Sequence, residues 1–331
     1  MKIQVFKPYF SNKNIKEIKR GLTSAFRSGW IGLGPKVKEF EDKWAKFVGA
    51  KYAVATSSCT AALDVAVRLV DLPNPVKVPA FTFISTALAP LNAGYNIEFT
   101  DIDENTLNCP YADIVVHYGG NVSGEGIIHD MAHCGGSKHK GKISCWSFHA
   151  VKNLPCGDGG MITMDSKKLY EKAKALRWCG IDKSTWERSG KKYNWDYSIR
   201  EVGIKAHMND ITAIIGLAKL KELESDNKYR KRIAELYDKY LPKEIIRPPE
   251  RESWHLYTIR HPKRDRIIKA LAKDGIGTSV HYKPLYYYSI FPQKKLPITE
   301  KVYKDILTLP IHLYLKEKDI KRICKIIKET I

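Results

Sequence analysis

The chain has 331 residues, of which 44% are hydrophobic and 28% charged, and its formal net charge is +20. This length predicts one large domain and a smaller one, and no apolar run is long enough to span a bilayer. The start, MKIQVFKPYFSNKN, lacks the apolar centre of a signal peptide, and the seven cysteines include no pair with CxxC spacing. We therefore expect a cytoplasmic protein without a metal site, a disulfide framework or a membrane partner.

The basic residues are spread along the chain rather than gathered in one block. Lysines alternate with acidic residues in stretches such as KKLYEKAKALR and KLKELESDNKYRKR. Such stretches are typical of solvated helix faces, and weak attraction of an anionic substrate is the alternative. Because no recognisable nucleic-acid-binding module is present, we do not expect a nucleic acid partner.

Strand-like and helix-like runs alternate through the first two-thirds of the chain. Pro35 begins a helical pattern with apolar residues on one face, and Gly49 stops it. Short apolar runs then recur, with helix-like TAALDVAVRLV after the first: YAVAT, VKVPA, IEFTDID, DIVVHY, GIIHD and ISCWSFH. This alternation predicts an α/β protein with a mainly parallel sheet.

The last third of the chain has a different pattern. A long helical stretch, 208–240, leads into strand-like WHLYTIR, helical RDRIIKALAKDG, strand-like GTSVHY and a terminal helix, EKDIKRICKIIKETI. We predict a large α/β domain over 1–229, including the N-terminal segment, and a small α+β domain over 230–331.

Candidate site residues follow the predicted strands, because ligands of open α/β sheets bind at the carboxyl ends of strands. Thr60 lies where a helix starts after YAVAT, which suits a phosphate or an ordinary helix cap. Phe83 could stack on a planar ring or belong to the core, and Asp130 could pair with a protonated ring nitrogen, cap a helix or form a salt bridge. Ser147 and Lys152 follow ISCW; a buried lysine can form a Schiff base, whereas most lysines are solvated charges.

Each of these residues alone has an ordinary structural explanation. Together they supply a phosphate site, a stacking aromatic ring, an acid for a pyridinium and a Schiff-base lysine, in chain order on successive strand ends. Those are the parts that an enzyme dependent on pyridoxal 5'-phosphate (PLP) needs.

Long, distinctive stretches extend this pattern over nearly the whole chain. They are SGWIGLGPKVKEFEDKWAKFVGAKYAVATSSCTAAL, PAFTFISTALAPLNAG, FTDIDENTLN, DMAHCGG, SFHAVKNLPCGDGGM, GIKAHMNDITAIIGLAKLKEL, WHLYTIR, GIGTSVHYKPL and ILTLPIHLYL. With them the chain resembles the fold-type-I, PLP-dependent nucleotide-sugar aminotransferases of the DegT/DnrJ/StrS family. The resemblance implies a seven-stranded, mainly parallel sheet and a small C-terminal α+β domain.

The resemblance also implies catalytic roles. Lys152 would form the Schiff base and then act as acid and base, Asp130 would keep the pyridinium nitrogen protonated, and Phe83 would stack on the ring. Three residues would hold the phosphate: Cys59, Thr60 and Ser147.

Other positions are assigned by the same resemblance. His133 lies where many members carry glutamine near the ring hydroxyl. Lys205 occupies a position, often asparagine, that reaches the cofactor phosphate of the neighbouring subunit, which implies a homodimer with shared active sites. Four further residues fall in segments usually close to substrate: Trp30, Ile31, His281 and Tyr282.

The implied reaction transfers the amino group of glutamate, through the PLP and pyridoxamine phosphate (PMP) forms of the cofactor, to C3 or C4 of a nucleotide-linked keto-sugar. The product would be an amino sugar for glycan or polysaccharide biosynthesis. Two alternatives keep the cofactor: a different ketone, such as a cyclitol, or a PLP-binding sensor without turnover.

The chain departs from the family pattern at three places. Cys59 replaces the usual glycine of the phosphate site, which leaves a backbone amide in place unless a positive φ is required. His133 could alter the hydrogen bond to the ring hydroxyl, but it does not indicate a sugar dehydratase, because those enzymes lose the lysine that is present here as Lys152. Only GNVSGE separates DIVVHYG from GIIHD, although a parallel crossover normally needs a dozen or more residues. We therefore predict that one crossover helix before Gly126 is missing and that a bare loop replaces it, with that sheet face less covered or covered by something else.

Overall fold

The computed structural model describes residues 2–183, 185–189 and 195–331. Its strands are β1 (Tyr52–Thr56), β2 (Val76–Pro79), β3 (Ile97–Thr100), β4 (Ile114–Val116), β5 (Ile128–Asp130), β6 (Ile143–Ser147), β7 (Gly160–Met164), β8 (Tyr257–Arg260) and β9 (Ile306–Leu309). Its α-helices are α1 (Asn12–Ser28), α2 (Pro35–Val48), α3 (Cys59–Val67), α4 (Ser85–Asn92), α5 (Lys167–Leu176), α6 (Thr185–Arg188), α7 (Asp210–Leu220), α8 (Leu223–Tyr240), α9 (Arg264–Lys273), α10 (Pro297–Asp305) and α11 (Glu317–Thr330).

The central sheet has the strand order β1-β7-β6-β5-β4, with the parallel pair β2-β3 beside β4. At that junction the Asp113 N–H donates to the Lys77 carbonyl at 2.9 Å. Strands β4, β5 and β6 run parallel, whereas β7 is antiparallel to both of its neighbours. The predicted α/β fold with a mainly parallel sheet is confirmed, and the carboxyl ends of β4, β5 and β6 meet at one edge.

Helix α2 begins and ends where the sequence predicts. Pro35 occupies its first turn, and Gly49 closes it with a φ of +79°, a conformation that glycine adopts without strain. Its apolar face is buried, and Trp44 packs on Phe148 with the ring centroids 4.8 Å apart. This packing anchors the chain immediately after β6, at the start of the segment that leads to Lys152.

The connection between β4 and β5 contains no α-helix in residues 117–127, all of which the structure describes; it holds only a 3-10 turn, Tyr118–Gly120. The prediction of a missing crossover helix is therefore confirmed. The loop itself lies on the sheet, because a Cβ at Gly124 or Gly126 would come within 2.9 or 3.2 Å of the Val115 side chain. Val115 is consequently fully buried without a helix above it.

A separate apolar core lies in the C-terminal part of the chain. It gathers residues of α8, α9, α11 and the antiparallel pair β8–β9. Ile320, Ile323 and Ile327 of α11 are buried on one face, and Ile3 joins this core by pairing with Ile276. The boundary between residues 229 and 230 stays a prediction, because α8 runs across it without a break.

All seven cysteines are free thiols, and only Cys179 among them is exposed. Among the described residues, no helix has both the length and the apolar character to cross a membrane.

Candidate active site

A cavity of about 430 Å³ lies at the carboxyl ends of β4, β5 and β6, bounded by the start of α3 and by segments of the C-terminal part of the chain. Most of the predicted site residues line it: Cys59, Thr60, Phe83, Asp130, His133, Ser147, Lys152, His281 and Tyr282. These residues are widely separated in sequence, and the parallel strands bring them to one place. Trp30, Ile31 and Lys205 are not among the lining residues.

Lys152 is held in a turn that follows β6. Its N–H donates to the His149 carbonyl at 2.8 Å, and the Cys156 N–H donates to the Phe148 carbonyl at 2.9 Å, which closes the loop. Burial of the amine lowers the pKa of Lys152 to about 8, against the opposing effect of nearby acidic groups that include Asp130. A fraction of the amine is therefore neutral near physiological pH, as a nucleophilic lysine requires.

Asp130 ends β5 inside the protein. Its Oδ1 accepts from the Ala132 N–H at 3.1 Å, and its Oδ2 accepts from the Thr86 hydroxyl at 3.0 Å. Burial nevertheless raises the pKa of this carboxyl, and these hydrogen bonds together with Lys152 only partly offset that effect. A cation bound beside Asp130 would stabilise its ionised form, so the carboxylate suits a protonated ring nitrogen.

The start of α3 forms a site suited to an anion. Ser58 caps the helix by accepting from the Ala61 N–H at 3.1 Å. The N–H groups of Cys59 and Thr60 lie in the first turn, where backbone donors have no intrahelical acceptor and the helix dipole favours negative charge. Cys59 does not have a positive φ, so glycine is not required there.

The thiol of Cys59 lies beside Asp130. Its Sγ lies 3.9 Å from Asp130 Oδ1, and burial raises the pKa of the thiol well above its usual range. Cys59 can therefore contribute a backbone amide to a phosphate while its neutral side chain packs beside the carboxylate.

Phe83 is 56% exposed, so it lies outside the apolar core. Its ring lines the cavity, with its centroid 6.4 Å from that of Tyr282. An aromatic face open to a cavity is available for stacking on a planar ring.

His281 reaches the cavity from the C-terminal part of the chain. Its Nδ1 lies 2.8 Å from the Thr308 hydroxyl, and burial together with the charge of Lys152 lowers its pKa to about 4. The ring is therefore neutral in the neutral pH range.

His255 and Phe6 are among the cavity-lining residues that were not identified from the sequence. His255 Nε2 lies 3.4 Å from Lys152 Nζ, and its ring stacks on Phe6 with the centroids 5.5 Å apart. A histidine directly before the apolar run LYTIR was the available signal for His255. The N-terminal segment carried no comparable signal for Phe6.

The remaining predicted residues lie elsewhere on the same chain. Trp30 and Ile31 line a separate cavity of about 270 Å³ together with Trp178 and His207. Lys205 pairs with Trp178 through an isolated β-bridge, and its Nζ lies 5.8 Å from the Trp178 ring centroid. Within one chain, these residues therefore do not contribute to the cavity around Lys152.

Comparison with known proteins shows what the whole chain is similar to. A model of the DegT/DnrJ/EryC1/StrS aminotransferase family matches residues 12–116 and 122–328, so the gap falls in the shortened β4–β5 connection. The chain is 32% identical to the spore coat polysaccharide biosynthesis protein SpsC of Bacillus subtilis, over 98% of this chain and 96% of that protein.

The chain is also similar to solved structures over its whole length. AtS13 from Actinomadura melliaura is 27% identical with a TM-score of 0.87, over 99% of this chain and 98% of AtS13. The PLP form of the putative sugar aminotransferase Spr1654 from Streptococcus pneumoniae is 25% identical with a TM-score of 0.86, over the full length of both chains.

Proposed function

Because the chain belongs to the DegT/DnrJ/EryC1/StrS aminotransferase family, we propose that it is a PLP-dependent enzyme that moves an amino group from glutamate to C3 or C4 of a nucleotide-linked keto-sugar. One observation carries this proposal: a lysine whose pKa is lowered to about 8 shares a cavity with a buried carboxylate whose pKa is raised. That pairing fits an amine that must be neutral and an acid that needs a cationic partner.

The residues of the cavity fit PLP. Lys152 would bind its aldehyde carbon, Asp130 would pair with its ring nitrogen, and Phe83 offers an open aromatic face for its ring. Its phosphate would be held by the first turn of α3, through Cys59 and Thr60, and by Ser147. When bound, PLP withdraws electrons from the carbon that bears the transferred amino group.

Protein side chains would carry out the proton transfers. Lys152 Nζ, once free, would take a proton from the amino donor's carbon and return one to the sugar carbon in the second half-reaction. A pKa of about 8 makes the amine competent in both directions near neutral pH. Asp130, held by Thr86 and the Ala132 N–H, would keep its ionised oxygen toward the ring nitrogen.

We further propose a homodimer in which each subunit completes the active site of the other. Lys205 would reach the cofactor phosphate of the partner, and the segment that contains Trp30 and Ile31 would approach the partner's substrate. Their distance from the cavity of their own chain supports this arrangement. Exposed apolar side chains such as Ile31 and Val202, the latter 91% exposed, also support burial against a second copy.

The proposed product is an amino sugar for glycan or polysaccharide biosynthesis. The net charge of +20 favours an anionic nucleotide-linked substrate, and SpsC, by its name, serves spore coat polysaccharide biosynthesis. The cytoplasm, as the place of this reaction, stays a prediction from the sequence.

The test uses the purified full-length chain incubated with PLP. We expect a visible absorption band that shifts when glutamate is added, and an aminated product from at least one nucleotide-linked keto-sugar, detected by mass spectrometry. Borohydride reduction and peptide mapping should then place a pyridoxyl group on Lys152. A visible band that no amino donor shifts would instead favour a PLP-binding sensor, and turnover of a cyclitol ketone alone would redirect the substrate assignment.

A further inference from the structure

His133 is buried and receives a backbone hydrogen bond. The Gly119 N–H donates to His133 Nδ1 at 3.0 Å. Because a backbone N–H can only donate, Nδ1 must be the unprotonated nitrogen of the ring. In a neutral imidazole the single proton therefore resides on Nε2.

The surroundings keep this ring neutral. Burial lowers the pKa of His133 well below its usual value, and the positive charges of Lys152 and Arg251, with His281, act in the same direction. Among the described residues, no acidic group acts on His133 in the opposite direction. The ring consequently has one tautomer over the neutral pH range, with Nε2–H as its only donor.

That donor is used by Tyr282. The phenol oxygen lies 3.0 Å from His133 Nε2, so it accepts the histidine proton. Burial raises the pKa of Tyr282, with contributions from Tyr118 and Asp130, so the phenol keeps its own proton. Among the described residues no second partner of the phenol oxygen is found, and Tyr282 lines the cavity that contains Lys152.

We propose that Gly119, His133 and Tyr282 form a hydrogen-bond chain of fixed direction, in which the Tyr282 hydroxyl donates to an oxygen of the ligand bound beside Lys152. This proposal rests on the proposed function, because the oxygen would belong either to the cofactor ring or to the keto-sugar. Tyr282 is then a ligand-contacting donor, and His133 is a positioning residue that acts through it.

The direction of the chain distinguishes this role from simple packing. A hydroxyl that already accepts from His133 is oriented to donate, so its proton points at the ligand before the ligand arrives. A glutamine at position 133 could also donate an amide N–H to Tyr282, whereas leucine could not. The histidine is therefore replaceable by a donor of similar reach but not by an apolar side chain.

The first experiment needs no ligand. In the cofactor-free protein, ¹⁵N–¹H correlation spectra of the histidine rings should show His133 as the neutral Nε2–H tautomer across pH 6–8. An Nδ1–H tautomer or a protonated ring in that range would overturn the chain.

The second experiment compares Tyr282→Phe, His133→Leu and His133→Gln with the wild type and with Tyr288→Phe, a tyrosine outside the cavity. If the oxygen belongs to the cofactor, Tyr282→Phe should raise by about one unit the pH at which the visible band titrates, because an oxygen without its donor holds the neighbouring proton more tightly. If it belongs to the sugar, the band should stay unchanged while the KM for the sugar rises roughly tenfold. His133→Leu should reproduce either effect, and His133→Gln should largely restore the wild-type value.

Either of those results supports the chain. Identical band titration and KM in Tyr282→Phe and Tyr288→Phe would overturn it, as would an effect of Tyr282→Phe that His133→Leu does not share. A wild-type protein that binds no PLP would refute the proposed function instead, and the tautomer measurement would still decide the orientation of His133. Unfolding temperatures of all variants separate these effects from loss of the fold.

Discussion

The hydrogen bond between Thr86 and Asp130 allows a direct test of what stabilises the ionised form of Asp130. Replacing Thr86 with valine keeps the shape of the side chain and removes the hydroxyl that donates to Asp130 Oδ2 at 3.0 Å. The Thr82 hydroxyl lies 3.0 Å from the Thr86 hydroxyl, and among the described residues it forms no hydrogen bond to Asp130. The ionised form of Asp130 therefore loses one of its few stabilising contacts.

The expected size of the effect follows from that single contact. A hydrogen bond to a charged group contributes about 1.5–3 kcal/mol, and one pKa unit corresponds to about 1.4 kcal/mol. Because the lost bond favours the ionised carboxyl, Thr86→Val should raise the already elevated pKa of Asp130 by about one to two units. PLP binding needs the ionised carboxylate and weakens as the pH falls. In Thr86→Val this weakening should begin at a pH about one to two units higher than in the wild type.

The assay is the dissociation constant of PLP as a function of pH, measured by absorbance with the cofactor-free protein. Thr86→Ser keeps the hydroxyl and serves as the matched control. The acidic side of its pH profile for PLP binding should therefore coincide with that of the wild type. The reasoning would be refuted if the valine variant stays folded and the acidic side of its pH profile coincides with that of the serine variant.

Three further predictions follow from other parts of the structure. The rate at which cofactor-free protein forms its bond with PLP should rise with pH through about 8, because Lys152 is nucleophilic only when its amine is neutral; stopped-flow absorbance measures it, and a flat profile would contradict the lowered pKa. Mixing Lys152→Ala with Lys205→Ala protein should restore about a quarter of the wild-type activity, since half of the random dimers contain one intact site; no restoration would mean that Lys205 does not act on the partner. Gly120→Ala should lower the free energy of unfolding in urea by about 3 kcal/mol or more, because Gly120 has a φ of +103° and a Cβ would lie 1.7 Å from the Ser253 carbonyl oxygen. Gly32 has open space around it, so the control Gly32→Ala should change the free energy of unfolding by less than about 1 kcal/mol.

The predicted site residues that the structure brings into one cavity share one property. Asp130 and Ser147 end adjacent parallel strands, and Lys152 follows one of them by five residues. A sheet with this topology brings strand ends together whatever the loops do, so alternating runs and their end residues are enough to collect these side chains. Helix α2 was predictable for a different, local reason, since its proline, glycine and apolar face lie within one short stretch.

The residues that the sequence did not place depend on packing between distant segments. His255 reaches Lys152 from more than a hundred positions away, held by N–H donation to the Gly119 carbonyl at 3.2 Å. No periodic pattern encodes that contact, because it arises from the fit of two loops rather than from one element. Trp30 and Lys205 present the reverse case. The sequence assigned Trp30 to the substrate and Lys205 to the cofactor phosphate of a partner subunit, and in this chain neither residue lines the cavity around Lys152.

The short connection between β4 and β5 has a consequence for how the chain folds. Only residues 117–127 separate the two strands, so bringing them together closes a much smaller loop than a helical crossover would. Each halving of a loop lowers the entropic cost of closure by about 0.6 kcal/mol, and pairs of low sequence separation form early. The β4–β5 pair is thus expected to be part of the folding nucleus, with mutations in Val115 slowing folding more than they speed unfolding. The shortened loop would then also favour early pairing of β4 with β5 while the rest of the sheet is still forming.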